Sequence, residues 1–333
     1  MATALVGSDR FRLDPFEPAY LTLLRDGGLE ARVAEARRAL ETCRLCPRAC
    51  AARRAEGATG TCGIGARAKV ASAFPHMGEE DCLRGSRGSG TVFFAGCGLG
   101  CVFCQNADVS WLRAGEELSA RDLAAVFLEL QDRGCHNLNL VTPSHVVPQI
   151  LEALLLAARQ GLSLPLVYNS SGYDASETLR LLDGVVDVYM PDFKFWREES
   201  AERYCRAADY PARARAALLE MHRQAGPLRF SPGGLARRGV LVRHLVMPGL
   251  GGESRAILEW IAREVSPDTY VNVMGQYRPA WQVGEPDRAA GSRFHEIDRT
   301  PRAAELESVR AAAHRAGLRR LDARHCAPTS AWC

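Results

Sequence analysis

Thr91-Val-Phe-Phe-Ala-Gly-Cys97-Gly-Leu-Gly-Cys101-Val-Phe-Cys104 runs from a short β-type apolar stretch directly into three cysteines spaced by three and two residues. Downstream, similar runs alternate with amphipathic stretches, and Leu138–Val141, Pro165–Tyr168, Val185–Met190, Val240–Val246 and Tyr270–Met274 read as further strands. Helices are clearest at Ser119–Arg133, with Ser119 as N-cap and Gly134 as stop, at Val146–Arg159 before Gly161, and at Pro301–Ala316 before Gly317. Repeated βα units imply an α/β protein with a parallel sheet. Six such strands can curl into a partial barrel or lie open as a doubly wound sheet, and periodicity leaves both open. Polar groups gather just after the strands, at Thr142 to His145, Asn169 to Ser171, Asp192 to Lys194, Arg243, and Gln276-Tyr277. That rim is where a parallel sheet builds its site.

The 333 residues suit one such core with a smaller appendage, and 47% apolar against 24% charged residues is the composition of a folded globular chain. The longest apolar stretch, Val146 to Ala158, carries Gln149 and Glu152 and is too short to span a bilayer. Residues 1–14 lack a secretory pattern, so the expected location is the cytoplasm. A net charge of +3 with scattered arginines calls for no nucleic-acid partner. Only two lysines, Lys69 and Lys194, stand among the 42 cationic side chains, so a lysine at a strand end draws notice.

Twelve cysteines without a secretory signal favour metal or cluster ligation over disulfides. Electron-transfer clusters ordinarily take four cysteines, so a loop that offers three leaves one iron open for a substrate or cofactor. Gly96, Gly98 and Gly100 let the backbone wrap closely, and Phe103 shields one side. A zinc knuckle completed from elsewhere, or three incidental thiols, are the competing readings. Cys43, Cys46, Cys50 and Cys62 form a second group in a segment with little capacity for its own core, after two short helices between Pro18 and Thr42. Zinc, a second [4Fe–4S] cluster or unligated thiols all fit that spacing. Cys82, Cys135, Cys205, Cys326 and Cys333 are isolated and read as inert thiols, and His145 and His244 as structural histidines.

The triad, with its aromatic before the last cysteine, resembles the signature of the radical S-adenosylmethionine (SAM) superfamily. Gly88-Ser-Gly-Thr-Val-Phe-Phe-Ala-Gly-Cys97 with Cys104-Gln-Asn106, Asn137-Leu-Asn-Leu-Val-Thr-Pro-Ser-His145, Val167-Tyr-Asn-Ser-Ser-Gly-Tyr173, Tyr189-Met-Pro-Asp-Phe-Lys194, Val242-Arg-His-Leu-Val-Met-Pro-Gly249 and Asn272-Val-Met-Gly-Gln-Tyr277 resemble the pyruvate formate-lyase activating enzyme family, in its uncharacterised branch. This resemblance covers Cys43 to Asp322. It implies a partial (β/α)6 TIM-like barrel over 76–322, a helical and Cys-rich N-terminal annex over 1–75, and a tail over 323–333.

It also implies a [4Fe–4S] cluster on Cys97, Cys101 and Cys104, whose open iron chelates SAM, and reductive cleavage of SAM to a 5′-deoxyadenosyl radical. Flavodoxin or ferredoxin would supply the electron. A backbone glycine of a partner enzyme would receive the radical. Modification of a small molecule, peptide or macromolecule unrelated to glycyl radicals is the alternative, and a non-catalytic metal-binding interaction protein a third. Where the superfamily usually has Gly-Gly-Glu, this chain has Val141-Thr-Pro-Ser-His145, which by position gives Thr142 and Ser144 to SAM's amino end. By the same resemblance Asn169 and Ser171 lie near its ribose or methionine, Asp192 and Lys194 beside SAM, and Arg243 at a SAM or substrate carboxylate.

Overall fold

Segments rich in β-branched and aromatic residues form the sheet, and those covered on both faces are buried from end to end. In the computed structural model, residues 9–287 and 291–322 are described, so the expected tail, with Cys326 and Cys333, lies outside them. The strands are β1 Ala68–His76, β2 Ser89–Phe94, β3 Glu116–Leu118, β4 Leu138–Val141, β5 Leu166–Ser170, β6 Val188–Pro191, β7 Arg229–Phe230, β8 Ala236–Leu245 and β9 Tyr270–Met274. Neighbours run β9-β8-β6-β5-β4-β2, all parallel. β1 lies antiparallel outside β2, β3 outside β1, and the two-residue strand Arg320–Leu321 pairs with β9 at the far edge.

This order settles the topology. A doubly wound sheet reverses its strand order at a switch point, whereas these six follow chain order from one side to the other, the winding of a barrel. Contacts across the row show the curl directly. Glu79 accepts from Asn139 Nδ2 on β4 at 2.7 Å, while its neighbour Glu80 accepts from Asn272 Nδ2 on β9 at 2.9 Å. In a flat sheet those strands, four spacings apart, would stand roughly 19 Å from each other. Phe103, after β2, likewise meets Tyr277, after β9, with ring centroids 5.9 Å apart. The architecture is a mixed α/β fold with a partial, TIM-like barrel.

Helices form where their signals stand. Ser119 caps Ala120–Asp132 in a reciprocal box with Asp122, and the first two helices, Ala19–Asp26 and Gly28–Arg38, break at Gly27, whose φ is 78°. The strand expected at Val185 begins instead at Val188, because Val185 and Val186 both donate to the Leu182 carbonyl and close the preceding turn. The sheet itself begins at Ala68, within the segment expected as annex. Two helices between β6 and β7, Glu198–Cys205 and Tyr210–Ala225, were not anticipated from periodicity; arginine and glutamate interrupt their apolar stripes. Among the described residues no helix is long and apolar enough to cross a membrane.

β8 carries Arg243, and Gly239 sets its entry into the barrel. With φ at 130°, a methyl group there would lie 2.4–2.6 Å from the backbone of Pro227 and Leu228. Gly239→Ala is expected to cost about 2–4 kcal/mol, the scale of an overpacked or strained core site, read as a lower midpoint in urea denaturation.

Candidate active site

The loop after β2 holds its cysteines with irregular backbone pinned by specific bonds. Cys97 Sγ accepts the Leu99 N–H at 3.3 Å, Cys104 Sγ lies 3.1 Å from Ser110 Oγ, and Trp111 Nε1 donates to the Cys101 carbonyl at 3.0 Å. Gly96 takes φ of 78°, and a side chain there would strike the Cys62 carbonyl at 2.6 Å. Burial pushes the Cys97 thiol up to about 11 and the Cys104 thiol up as well. For Cys101 the contact with Cys205 is the largest cause and burial the second. Protein alone therefore holds three neutral thiols, while donors already aimed at the sulfurs suit thiolate ligands of a metal centre. Among the described residues no three His, Cys, Asp or Glu side chains converge on one metal-ion position. Ligands of a four-iron cube bind different irons and need not do so.

Two adjoining cavities, of about 170 and 360 Å³, open beneath this loop. Both are lined by Cys101, Cys104, Asn169, Asp192, Lys194 and Arg243, and the smaller also by Cys97, Thr142 and Ser171. Phe103 lines the larger one and packs against Phe195 and Tyr277. Strand ends thus bring together most of the expected residues. Ser144 differs: its hydroxyl donates to Asp174 at 2.5 Å, a buried carboxylate that also receives Tyr168 and Ser170. It is not among the residues lining either cavity. Its position after β4 put it at the rim, but the turn directs it toward Asp174.

An alternating charge chain crosses the wall. Lys194 Nζ meets Asp192 Oδ2 at 2.6 Å, and Arg243 Nε meets Asp192 Oδ1 at 2.8 Å. Arg243 Nη2 donates to Asn169 Oδ1 at 2.8 Å, and Nη1 lies 3.4 Å from Glu79 Oε1. Burial opposes the charge on Asp192, but Arg243 and Lys194 outweigh it and hold its carboxyl below the usual range. Burial works against the Lys194 ammonium too, and Asp192 more than restores it.

Glu79, Glu80 and His76 were absent from the expected site. His76 ends β1 and the glutamates follow it, where Gly78-Glu79-Glu80-Asp81 reads as a solvated acidic turn, yet both glutamates are buried. Burial, then the neighbouring Glu79 carboxylate, raises Glu80. Glu79 is lowered against its burial by His76 and Arg243. Of the two, Glu80 is the one disposed to keep a proton. His145 and His244 are structural: His145 Nε2 contacts the Ala95 carbonyl at 2.9 Å, and His244 bridges the Phe193 carbonyl and Ser254 Oγ.

The annex thiols gather on the outer side of the same loop. Cys46 Sγ would lie 3.1 Å from a methyl group at Gly98, and burial, together with Cys62, Cys43 and Cys50 nearby, pushes the Cys46 thiol up to about 12. Arg54 is fully buried beside them, donating to the carbonyls of Gly65 and His145, with Cys43 Sγ at 3.7 Å.

Comparison with known proteins gives three findings. The family model described as Radical SAM superfamily matches residues 91–261. An uncharacterized protein of Methanocaldococcus jannaschii is 30% identical over 301 residues, covering 88% of this chain and 82% of that protein. The solved structure of a radical S-adenosylmethionine methyltransferase, TsrM, from Kitasatospora setae, matches with a TM-score of 0.43 and 10% identity over 66% of this chain. The match spans 50% of that solved chain.

Because Glu80 ionises more readily in the unfolded chain than in the barrel, stability should be full below the ordinary carboxylate range and fall as pH rises toward about 8. Glu80→Gln keeps an Asn272 contact without the titration. Melting temperatures between pH 5 and 9 should drop by about 3 °C for the natural chain, equivalent to ~2 kcal/mol, and stay flatter for the variant.

Proposed function

The chain belongs to the radical SAM superfamily, and on that premise we propose that it cleaves SAM reductively, with Cys97, Cys101 and Cys104 as cluster ligands and the two cavities beneath them as the cofactor and substrate chamber. The observation that carries this reading is the convergence of all three cysteines with Asp192, Lys194 and Arg243 on one cavity wall. A [4Fe–4S] cluster bound there, as the family implies, supplies the electron that breaks a carbon–sulfur bond of SAM and so yields the 5′-deoxyadenosyl radical.

The chain's own residues bind and orient. Lys194 offers a compact ammonium to a carboxylate and Asp192 an acceptor to an amine, the two charged groups of an amino acid. Asn169 lies beside Arg243 on the same wall and, with Thr142 and Ser171, provides neutral polar contacts. Phe103 and its aromatic neighbours keep water from that side.

The resemblance in motifs supports the pyruvate formate-lyase activating enzyme branch and, with it, a backbone glycine of a partner enzyme as radical acceptor. A mouth bounded by exposed Gly78, Gln105, Asn106 and Gln276 is compatible with entry of a loop. The electron donor we assign to the flavodoxin or ferredoxin class. On the outer side of the loop a cavity of about 180 Å³ reaches Cys97 and is lined by Arg48, Arg113 and Arg206, with no carboxylate in its wall. Such a rim complements an acidic redox protein.

For the annex we propose a bound metal group on Cys43, Cys46, Cys50 and Cys62; thiols that do not converge on one ion position suit a second [4Fe–4S] cluster, with zinc the alternative that would require them to draw together. Arg54 supports it: among the described residues this buried guanidinium has no carboxylate partner, and metal-bound thiolates would supply the missing negative charge.

Replacing Cys97, Cys101 or Cys104 with Ala should abolish production of 5′-deoxyadenosine and methionine by anaerobically reduced protein. If the natural chain itself makes neither, the enzymatic reading fails. Transfer of deuterium from a candidate glycyl-radical enzyme into 5′-deoxyadenosine identifies a glycine acceptor, and transfer from another substrate identifies the alternative. Cys43→Ala should lose either zinc or about four irons of roughly eight per chain, four to each cube. Unchanged metal content would remove the annex site.

A further inference from the structure

Cys205 carries no motif, but the fold delivers it to the cluster loop. It ends the helix Glu198–Cys205, is fully buried, and its Sγ lies 3.4 Å from Cys101 Sγ. Two sets of backbone bonds hold it there. The Val102 N–H donates to the Tyr204 carbonyl at 2.9 Å. Arg48 donates to the carbonyls of Gly98 and Leu99 on one side, at 2.8 and 3.0 Å, and to Cys205 on the other, at 2.9 Å. Its remaining arm reaches the Arg206 carbonyl.

The contact completes a pattern. Cys97 has the Leu99 N–H, Cys104 has the Ser110 hydroxyl, and Cys101 has the Cys205 thiol. In the metal-free pair either sulfur can carry the proton between them. A Cys101 bound to iron has no proton, so Cys205 is left as the donor in that contact.

We propose that Cys205 is a positioning residue for the cluster, donating its S–H to the sulfur of Cys101 and thereby favouring the reduced state. This rests on the reading that Cys97, Cys101 and Cys104 hold a [4Fe–4S] cluster. The direction follows from charge: a donor aimed at a ligand sulfur stabilises the more electron-rich form, and hydrogen bonds to sulfur are among the levers that set cluster potentials. Lys194, whose charge also acts on Cys101, works in the same direction.

The test is a spectroelectrochemical titration of the natural chain, Cys205→Ala and Cys205→Ser, each anaerobically reconstituted and free of SAM. At the natural chain's midpoint potential, the reduced-to-oxidised ratio in Cys205→Ala should fall roughly three- to tenfold, tenfold being ~59 mV for a one-electron couple. Cys205→Ser keeps a hydroxyl donor and should lie nearer the natural chain, with iron content equal in all three. An unchanged potential in the Ala variant overturns the proposal, as does an equal shift in Ser and Ala. Loss of iron in Cys205→Ala also overturns it, because Cys205 would then be a ligand. A variant with Cys97, Cys101 and Cys104 all replaced by Ala that still holds as much iron as the natural chain would instead refute the underlying cluster assignment.

Discussion

A guanidinium inside a barrel must be answered by fixed acceptors, and Arg243 is answered from three separate parts of the chain, two of them carboxylates. Asp192 reaches it from the end of β6, Asn169 from β5 and Glu79 from the segment after β1. Taking such a cation out of water costs several kcal/mol unless its partners are close and well directed. That requirement ties the turn after β1 to the strand ends, and so ties the antiparallel edge to the barrel. Lys194 shares Asp192, and Glu80 is the carboxyl disposed to keep a proton. The wall therefore holds two cations against two carboxylates and is neutral as it stands. A zwitterion, such as the amino-acid end of SAM, can pair with both signs there without introducing net charge.

How much of this was legible in the sequence depended on how local the cause was. Leu138–Val141 and Tyr270–Met274 fold over the expected spans, since an apolar run bounded by polar residues states its own limits. Ser119 acts through bonds within a turn, and it was readable. β1 was not, because Lys69, Ser72, Pro75 and His76 interrupt a strand with one half-exposed face. The choice between barrel and open sheet was equally hidden, since strand order is a property of pairing. The family model supports the superfamily reached through the motifs, whereas the finer branch rests on the motifs alone.

Site residues divide in the same way. Asp192, Lys194, Arg243 and Asn169 line the cavity as expected of strand ends, because a parallel strand's end is a predictable place. Ser144 has the same address, but one rotation about a turn gives its hydroxyl to Asp174. Glu79 and Cys205 are the converse. Nothing near Glu79 in sequence announces Asn139 or Arg243, and 104 residues separate Cys205 from Cys101. Long-range partners of this kind leave no periodic trace.

Two of the chain's arginines, Arg48 and Arg54, hold irregular segments in place. Between Cys43 and Gly65 the only regular element is the short 3-10 turn Arg54–Glu56, so carbonyls there and in the cluster loop lack the partners that helices and strands provide. Arg48 satisfies Gly98 and Leu99 in the cluster loop and Cys205 and Arg206 at the end of the helix Glu198–Cys205, and Arg54 satisfies Gly65 and His145 while joining the annex to the barrel. A guanidinium can do this because its five donors sit in a rigid fork, whereas an ammonium presents three donors at a single point. The exception falls beside the cysteines. Lys194 must fit between Asp192 and the loop while its charge acts on Cys101, and there a point charge on a thin stem suits the space better than a flat fork. Lys194 is the one ammonium among the residues lining the two cavities, where it stands beside the Arg243 guanidinium and shares Asp192 with it.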